Sequence, residues 1–595
     1  MPRVTSRASD GAPHNGPMSR LSVIGVGLGV GIACAAGCTI ETGYEPPPPP
    51  PWGTPLVGGT ILVTRDGSRA VVADPDRDRV VIVDLASERI TDTIVLAPGS
   101  APGRVIDDGA GRIHVALRGS GELLTISGAD RVVQPVCAEP RGLAWQEATD
   151  LVHVACATGE LISMPAAGGE PTRVLHLERD LRDVVVRGDE LLVTTFRGAQ
   201  VLELDAQGTL VARISPPVTQ RADVDGNVPA IPEVAWRTIA LPDGTVLMSH
   251  QRRLGTTLRI VTGGYGGHCN GTAVESTLTS IGVDNRPFAV APIASAALPV
   301  DIAVDPRSGD VAMVSAGTQS VQLISHSITT NPDDGMCGGG TGSAQLSSPE
   351  DGMPTSVAYT PNGTLLVYYP EADSIAIYEG SGARSISLGD KPRKDAGRTL
   401  FHQETSSGLA CASCHPEGRD DGGVWTFDQL GPRRTQSLAG GIVARAPYHW
   451  GADMPSFHTL VDNVFTQRMG GEVVEPEQER ALLAWLDRVP APPGVVVDAD
   501  AVVRGKELFD DSEQGCASCH GGALMSNMGM ANVTGIRVKV PSLVGVGARA
   551  PYMHDGCAAT LRDRFGACGG GDNHGHTSQL TEAQLSDLIA YLDSL

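Results

Sequence analysis

The pentapeptide Cys-Ala-Ser-Cys-His occurs twice in the last third of the chain, at residues 411–415 and 516–520. This C-x-x-C-H pattern is the attachment signature of c-type haem. Its two thiols lie about one helical turn apart, so both can reach the vinyl groups of one porphyrin, and the next residue can turn its imidazole onto the iron. The sequence therefore predicts two covalently attached c-type haems. The predicted thiols and iron ligands are Cys411, Cys414 and His415 for one haem, and Cys516, Cys519 and His520 for the other.

Each pentapeptide could instead be half of a zinc site. A structural zinc ion needs four protein ligands, which are usually supplied by paired C-x-x-C units. Here a His is attached to each unit, and no second C-x-x-C unit lies nearby. The ligand count therefore favours haem iron over zinc.

The residues around both pentapeptides follow one template, which predicts two small, mainly α-helical cytochrome c domains. In each copy a short helix precedes the pentapeptide, and an amphipathic helix ends the copy. In the last of these helices Thr581 is a candidate N-cap, and apolar residues recur at helical spacing on one face. The predicted first copy spans residues 391–490 and the second copy residues 498–595, joined by a Pro- and Val-rich linker at 490–498.

An Arg-Ala-Pro-Tyr sequence follows each pentapeptide and begins at Arg445 in the first copy and Arg549 in the second. A guanidinium group can hydrogen bond a carboxylate through two parallel N–H groups. Both arginines are therefore candidates for binding haem propionates, with an ordinary surface salt bridge as the alternative.

The last 200 or so residues resemble the di-haem cytochrome c peroxidase and MauG family. The resemblance implies two covalent haems with an electron path between them. In that family one haem relays electrons, and the other, with an open or labile sixth position, meets peroxide. The matching segments are 435–438, 448–450 and 469–471 in the first copy, and 541–546, 550–556 and 560–561 in the second.

The sequence departs from this family at the position of its acid–base group. The peroxidatic half of the family carries a Glu directly before a Met-Gly pair, and that position is Arg468 here. Peroxide cleavage needs a proton-transfer group near an open iron, and Asp453 and Glu472 are nearby but match no family position. Met469 could bind the iron as a thioether ligand or pack as an ordinary core residue. No catalytic residue is therefore assigned, and enzymatic activity stays open.

In the second copy the position of Met469 is occupied by Gly569 when the Gly-Gly pairs are aligned. A Gly-rich segment then carries His574 and His576, and it is flexible enough to bring a His to the iron. One of these two is the favoured sixth ligand. Met553 and an open sixth position remain as alternatives.

Residues 54–385 contain short strand-like runs preceded by turn residues, recurring about every 40 residues. About seven such units predict an all-β propeller with one four-stranded sheet per blade. Insertions near 216–232, 263–295 and 327–352 stretch the later units, so six to eight blades are possible. The segment resembles the YVTN/NHL-type propellers of bacterial surface proteins. The predicted fold class is therefore multidomain, with a propeller followed by two mainly α cytochrome c domains.

The N-terminus carries an apolar run at 21–37, preceded by Arg20. It is short for a spanning helix and typical of a signal peptide. Its end, Ala-Ala-Gly before Cys38, resembles a bacterial lipoprotein cleavage site, which predicts a signal peptide at 1–37 and a lipid on Cys38. An uncleaved anchor and simple signal cleavage are the alternatives. The linker at 38–53 contains six consecutive prolines, which predict a stiff spacer.

These features predict a periplasmic or surface protein, lipid-anchored to a bacterial membrane. In such an oxidising compartment the six cysteines left after signal, lipid and haem are expected to form disulfides. Proximity in sequence suggests one set among fifteen possible pairings. The suggested pairs are Cys137–Cys156, Cys269–Cys337 and Cys557–Cys568.

The net charge of −23 and the absence of a basic patch argue against a nucleic-acid partner. The motifs favour electron transfer through two haems, with a cytochrome, a cupredoxin or a quinol-linked donor as partner. A peroxidase or MauG-like oxidant is the first alternative. The second is a propeller that binds a partner or ligand while the haems sense redox state.

Overall fold

Short antiparallel strands dominate the first part of the computed structural model, which describes residues 55–223, 226–266, 272–330, 343–380 and 382–595. They form because runs of Val, Ile and Leu alternate with tight turns. Gly67, for example, adopts a φ of 71° in the turn that precedes the first long strand, a conformation that costs Gly little because it has no Cβ. That strand, Arg69–Asp74, is buried at every position after its first residue, so other sheets cover both of its faces.

Between Ile61 and Ser387, the described residues form six four-stranded sheets and one five-stranded sheet. In the first four sheets each strand pairs antiparallel with the next along the chain. Their strands are β1 (Ile61–Val63), β2 (Arg69–Asp74), β3 (Arg79–Asp84) and β4 (Arg89–Val95); β5 (Pro102–Asp107), β6 (Arg112–Leu117), β7 (Glu122–Ser127) and β8 (Asp130–Pro135); β9 (Pro140–Gln146), β10 (Leu151–Cys156), β11 (Glu160–Pro165) and β12 (Arg173–His176); and β13 (Leu181–Arg187), β14 (Glu190–Thr195), β15 (Val201–Leu204) and β16 (Leu210–Ile214).

The fifth sheet has five strands, and the short strand β20 within its span leaves it to pair elsewhere. The sixth and seventh sheets return to four strands, with a one-turn helix, α1, inside the sixth. The elements are β17 (Thr219–Asp223), β18 (Gly226–Ala240), β19 (Val246–Leu254), β20 (Thr257–Leu258), β21 (Val274–Ile281) and β22 (Pro287–Ala289); β23 (Pro299–Val304), β24 (Val311–Ser315), β25 (Ser320–Ile324), α1 (His326–Thr329) and β26 (Ala344–Leu346); and β27 (Ser356–Tyr359), β28 (Leu365–Tyr369), β29 (Ser374–Glu379) and β30 (Gly382–Ser387).

The sheets of this β region, residues 61–387, follow one another around a ring. The innermost strands of neighbouring sheets lie side by side, and β1 also contacts β27, which returns the series to its start. The backbone N–H of Thr60 donates to Ser356 Oγ at 2.9 Å and joins the first sheet to the seventh. The region is thus mainly β and propeller-like, as the repeats predict.

Short helices predominate after Ser387. A π-helical segment, Val461–Arg468, continues directly from α4. Single 3-10 turns lie at Pro416–Gly418, Val443–Arg445, Val546–Ala548, Ala567–Gly569 and Gly571–His574. The other elements are α2 (Ala396–His402), α3 (Cys411–Cys414), β31 (Val424–Phe427), β32 (Gly431–Arg434), α4 (Phe457–Leu460), α5 (Pro476–Asp487), α6 (Ala499–Asp510), α7 (Cys516–His520), β33 (Met530–Asn532), β34 (Arg537–Lys539), α8 (Leu561–Arg564) and α9 (Glu582–Asp593).

Each copy is built on a close crossing between its first and last helices. In the first copy α2 crosses α5 at Gly397, where a Cβ would lie 2.2 Å from the carbonyl oxygen of Ala481. In the second copy α6 crosses α9 at Gly505, where a Cβ would lie 1.9 Å from the carbonyl oxygen of Asp587. Only Gly allows these approaches. The shared template therefore produces the same crossing twice.

The β region and the first copy also share a sheet. Strand β20 leaves the fifth sheet and pairs in parallel with β31, and β32 completes this three-stranded sheet. The described residues between 55 and 595 accordingly belong to one compact unit. The predicted N-cap of the last helix is confirmed, since Thr581 Oγ1 accepts a hydrogen bond from Gln584 N.

Two predicted disulfides are confirmed, Cys137–Cys156 and Cys557–Cys568. The third predicted pair, Cys269–Cys337, lies outside the described residues, as do the predicted signal peptide, the lipidated Cys38 and the Pro-rich linker. In the part of the chain that the structure describes, no helix combines the length and the apolar character needed to cross a membrane.

Candidate haem sites

The first pentapeptide forms the one-turn helix α3. The backbone N–H of His415 donates to Cys411 O at 2.9 Å, which sets the two thiols one turn apart. Ser413 Oγ accepts a hydrogen bond from the N–H of Ala410 at 3.1 Å and closes the start of this turn. Cys411 and Cys414 therefore stand where one porphyrin can bridge them.

The imidazole of His415 is oriented by a main-chain carbonyl. Its Nδ1 lies 3.2 Å from Arg419 O, and because a carbonyl only accepts, Nδ1 must carry the proton. The lone pair is then on Nε2, where a metal can bind. Burial lowers the pKa of His415 and keeps the ring neutral, which is the form that binds iron.

The second pentapeptide repeats this arrangement on α7, which begins after Gly515 in a left-handed conformation with a φ of 73°. His520 Nδ1 lies 3.3 Å from Met525 O, which again leaves Nε2 available. Burial lowers the pKa of His520 to about 4. Both predicted proximal histidines thus have the protonation state and orientation that a haem iron requires.

The four predicted attachment thiols form no disulfide. Burial raises the pKa of Cys411 to about 12 and raises those of Cys414 and Cys516 in the same direction. Within the described ranges, no group of three or more His, Cys, Asp or Glu side chains could hold a bare metal ion. Two C-x-x-C-H motifs with unpaired thiols fit thioether attachment of haem.

A buried apolar cluster packs against the thiols of the first pentapeptide. Met469 is only 6% exposed and belongs to this cluster with Phe465 and Trp485, and Cys411 and Cys414 pack against it. Met454, which sequence reasoning did not select, is 3% exposed in that cluster. Two buried thioethers therefore belong to the apolar cluster that contacts the first pentapeptide.

A tyrosine from the β region packs against the same apolar cluster. Tyr265 follows β20, and its backbone N–H donates to Arg468 O at 3.1 Å, while Arg468 Nη1 donates to its phenol oxygen at 3.5 Å. Burial raises the pKa of Tyr265. Sequence reasoning missed this residue because 203 positions separate it from Arg468. The π-helical geometry next to it is a common marker of functional sites, but no sequence signal indicated it.

Arg468 occupies the position of the peroxidase family's acid–base Glu, and the two carboxylates near it do not take over that role. Asp453 Oδ2 lies 3.4 Å from His449 Nδ1, and this hydrogen bond lowers the pKa of Asp453. Glu472 is exposed. Both groups are therefore unsuited to the role of a protonated acid held over the iron.

In the second copy the structure brings His574 close to His520. The two ring centroids lie 6.2 Å apart and the ring planes differ by 40°. His574 Nδ1 lies 3.0 Å from Gly569 O, so its Nε2 is also free. Burial lowers the pKa of His574 to about 3. His576, by contrast, is exposed, and Met553 is half-buried.

This separation matches two imidazoles on opposite sides of one iron. A histidine nitrogen binds a metal at about 2.0 Å, and the ring centre lies about 1.2 Å farther away. Two axial imidazoles therefore have centres about 6.4 Å apart. The observed 6.2 Å agrees with that value.

Two buried arginines test whether the site fits haem propionates. Arg445 Nη2 donates to Gly440 O at 2.7 Å, and Arg549 Nη1 donates to Ser542 O at 2.9 Å. Among the described residues, Arg445 Nε and Arg549 Nε and Nη2 find no partner. Burial lowers the pKa of Arg549 to about 9, so these cations call for an anionic partner. The propionates of c-type haems would supply one in each copy.

The two copies meet around Arg434. Its Nη2 donates to Asp420 Oδ1 at 2.7 Å in the first copy and to Arg549 O at 2.6 Å in the second. The indole of Trp450 lies edge-on to His554, with ring centroids 6.4 Å apart. An aromatic contact therefore spans the boundary between the copies.

Comparison with known proteins supports a cytochrome c domain in the second copy. Residues 502–595 match the family model of cytochrome c. The gamma subunit of hydrazine synthase from Kuenenia stuttgartiensis is 26% identical over 253 residues, covering 31% of this chain and 72% of that relative. The C-terminal region therefore contains a cytochrome c domain, and its C-x-x-C-H motif implies a covalently bound c-type haem. These matches do not single out the peroxidase and MauG family.

Two solved structures are similar to about half of this chain. Hydrazine synthase from Kuenenia stuttgartiensis covers 55% of this chain and 96% of its own, at 15% identity and a TM-score of 0.45. Virginiamycin B lyase from Staphylococcus aureus covers 53% and 92%, at 9% identity and a TM-score of 0.38. Similarity at this level says nothing about activity.

Proposed function

We propose that this protein is a di-haem c-type cytochrome that transfers electrons through two covalently bound haems. The carrying observation is the pair of imidazoles at His520 and His574, which are spaced for axial binding on both sides of one iron. Such a haem has no free position for a substrate and serves electron transfer. A haem supplies one-electron redox chemistry when bound, and the protein tunes it through ligands, hydrogen bonds and burial.

The second haem would be held by Cys516 and Cys519 through thioether bonds and by His520 and His574 through their Nε2 atoms. The carbonyls of Met525 and Gly569 fix the two rings through their Nδ1 atoms. These hydrogen bonds place the proton of each ring on Nδ1 and would leave each Nε2 available to a haem iron. His576 is the less suitable ligand because its side chain is exposed.

The first haem is held by Cys411, Cys414 and His415, with Met469 as the proposed sixth ligand. Met469 lies in the buried cluster that packs against both thiols. A thioether ligand raises the reduction potential relative to two imidazoles. The two haems would then differ in potential and favour electron flow in one direction.

The aromatic contact of Trp450 with His554 supports a short path between the two haems, as do the hydrogen bonds that Arg434 donates to both copies.

Each of the seven sheets of the β region is proposed as one blade of a seven-bladed propeller. The proposed location is the bacterial periplasm or cell surface, with lipid on Cys38. A cytochrome, a cupredoxin or a quinol-linked donor is the proposed partner. The signal-like N-terminal sequence and the two disulfides support this location.

The proposal is tested by counting haems and recording EPR spectra of the oxidised holoprotein. Two haems per chain in a pyridine haemochrome assay and two low-spin signals are expected. Met469→Ala should convert the first haem to high spin, whereas the control Met454→Ala should leave its ligation unchanged. A single haem per chain, or a high-spin second haem in the unmodified protein, would contradict the proposal.

A redox enzyme acting at the first haem is the second candidate. It is favoured by the hydrogen bond between the guanidinium of Arg468 and the phenol of Tyr265, which packs against the apolar cluster of the first copy. Similarity to a hydrazine synthase subunit supports redox chemistry in general terms. Rapid turnover of hydrogen peroxide by the holoprotein would favour the peroxidase form of this candidate over pure electron transfer.

A further inference from the structure

The turn that follows His415 carries a carboxylate into the β region. Glu417 is the second residue after His415 and is only 1% exposed. Its φ of 56° is left-handed, a conformation that a non-Gly residue keeps only when its surroundings hold it. The carboxylate must therefore be fixed by its partners.

Three arginines from three successive sheets of the β region surround this carboxylate. Arg118 donates to both Glu417 oxygens at 3.1 Å, and Arg182 Nη1 donates to Oε1 at 2.7 Å. Arg141 Nη2 lies 3.6 Å from Oε2. All three guanidinium groups are almost completely buried. Glu417 is thus the anionic centre around which three blades place positive charge.

A second carboxylate links this cluster to the haem ligand itself. Glu139 accepts from Arg118 at 2.8 Å, from Arg141 at 3.0 Å and from Arg419 at 2.9 Å. Arg419 is the residue whose carbonyl holds the His415 imidazole. Arg419 therefore connects the arginine cluster to His415, because its side chain bonds Glu139 and its carbonyl oxygen accepts from the imidazole.

The other side of the pentapeptide is also held by the β region. Gln251 Nε2 donates to Ser413 O at 2.8 Å, and Gln251 Oε1 in turn accepts from Trp236 Nε1 at 3.0 Å. Both side chains come from strands of the fifth sheet. The first haem-binding segment is therefore clamped before and after His415 by residues that precede it by more than 150 positions.

The second copy has no equivalent arrangement among the described contacts of its ligand histidines. His520 is held by Met525 and His574 by Gly569, both within the same copy. The contacts of the β region with the second copy involve Arg179 with Asp593 and Arg197 with Ala550 O instead. The charge cluster therefore acts on one haem only.

We propose that Glu417 and its arginine cluster are a positioning and tuning device that sets the reduction potential of the first haem from within the propeller. The inference rests on the proposed function, because it requires a haem at Cys411, Cys414 and His415. Oxidised haem carries one more positive charge than reduced haem, and a buried charge nearby acts through a low dielectric. Removing a carboxylate therefore favours reduction, and removing a guanidinium favours oxidation.

The test is a spectroelectrochemical titration of the holoprotein and three variants. Glu417→Gln should raise the midpoint potential of the first haem, and Arg118→Gln should lower it, while the second haem keeps its potential in both. Glu88→Gln removes the same charge from an exposed pair with Arg384 and should move neither haem. A Cys516→Ala and Cys519→Ala background identifies which signal belongs to the first haem.

Shifts of opposite sign confined to the first haem would support the device. Unchanged potentials, or equal shifts of both haems, would overturn it. If Glu417→Gln fails to fold, the Arg118→Gln titration decides alone, since a lowered potential of the first haem is required. A protein that binds only one haem per chain would instead refute the proposed function, so the two failures are distinguishable.

Discussion

His415 and His520 each give one ring nitrogen to a main-chain carbonyl four or five residues further along the chain. The hydrogen bond decides which nitrogen is protonated, and so it decides which one can bind metal. The C-x-x-C-H pattern predicted the residues but not these partners. The carbonyls belong to turns whose sequences differ between the copies, so only the fold reveals the shared geometry.

The proposed sixth ligand of the second haem, His574, gives a prediction for a single side chain. His574→Ala should convert this haem from low to high spin, because the ring centroid of His574 lies 6.2 Å from that of His520. The matched control His576→Ala removes an exposed ring two residues away and should leave the spectrum unchanged. Visible and EPR spectra of the two holoproteins provide the measurement. Loss of the low-spin signal in the control alone would show that His576 is the ligand.

Elements of secondary structure were predictable where the pattern is local. The strand repeats, the terminal helix with Thr581 as its cap, and two nearby disulfides all follow from residues close in sequence. The pairing of β20 with β31 was not predictable, because it joins residues 257 and 426 and depends on the whole β region being in place. The contact of Tyr265 with Arg468 was missed for the same reason.

The helix crossings predict a large cost for one methyl group. In Gly505→Ala the new Cβ would meet the carbonyl oxygen of Asp587, 1.9 Å away. The helix propensity of Ala would favour the variant by about 1 kcal/mol, but overpacking a close crossing costs roughly 1–3 kcal/mol or more. Destabilisation is therefore expected in denaturant unfolding of the holoprotein. In Gly382→Ala the Cβ would meet only Glu379 O at 3.7 Å, so this control should keep its stability.

Buried histidines in the strands predict a loss of stability in acid. Burial lowers the pKa of His153 to about 4 and that of His250 to about 3, whereas an unfolded His titrates near pH 6.5. Above pH 6.5 both states are neutral and nothing is lost. As the pH falls from 6.5 towards the folded pKa, the unfolded state takes up protons that the folded state cannot, and stability decreases.

At pH 5 the loss amounts to about 2 kcal/mol for each such ring. Denaturant unfolding between pH 7 and pH 5 measures it. His153→Gln keeps a hydrogen-bonding group for Ser163, whose Oγ lies 2.9 Å from the ring, and it removes the titration. The variant should show a shallower pH dependence by about one proton. An unchanged slope would mean that His153 is not the group responsible.

The molecule as a whole carries a net charge of −23. A field of this sign attracts cations and repels anions over distances comparable with the Debye length, about 10 Å at 0.1 M salt. Electron exchange should therefore be faster with a cationic mediator such as hexaammineruthenium than with anionic ferricyanide. Raising the salt concentration should slow the first reaction and speed the second. Stopped-flow rates that do not depend on salt would contradict steering by the overall charge.

The burial of the first pentapeptide against the β region also bears on the order of assembly. Gln251 donates a hydrogen bond to Ser413 O, and Glu417 pairs with arginines from three sheets. In the folded protein these contacts restrict the access of porphyrin-attaching enzymes to the first pentapeptide. The β region nevertheless precedes the pentapeptide in the chain and is synthesised first. If the proposed first haem is attached through thioether bonds, maturation would have to keep residues 411–419 undocked from the β region until those bonds are made.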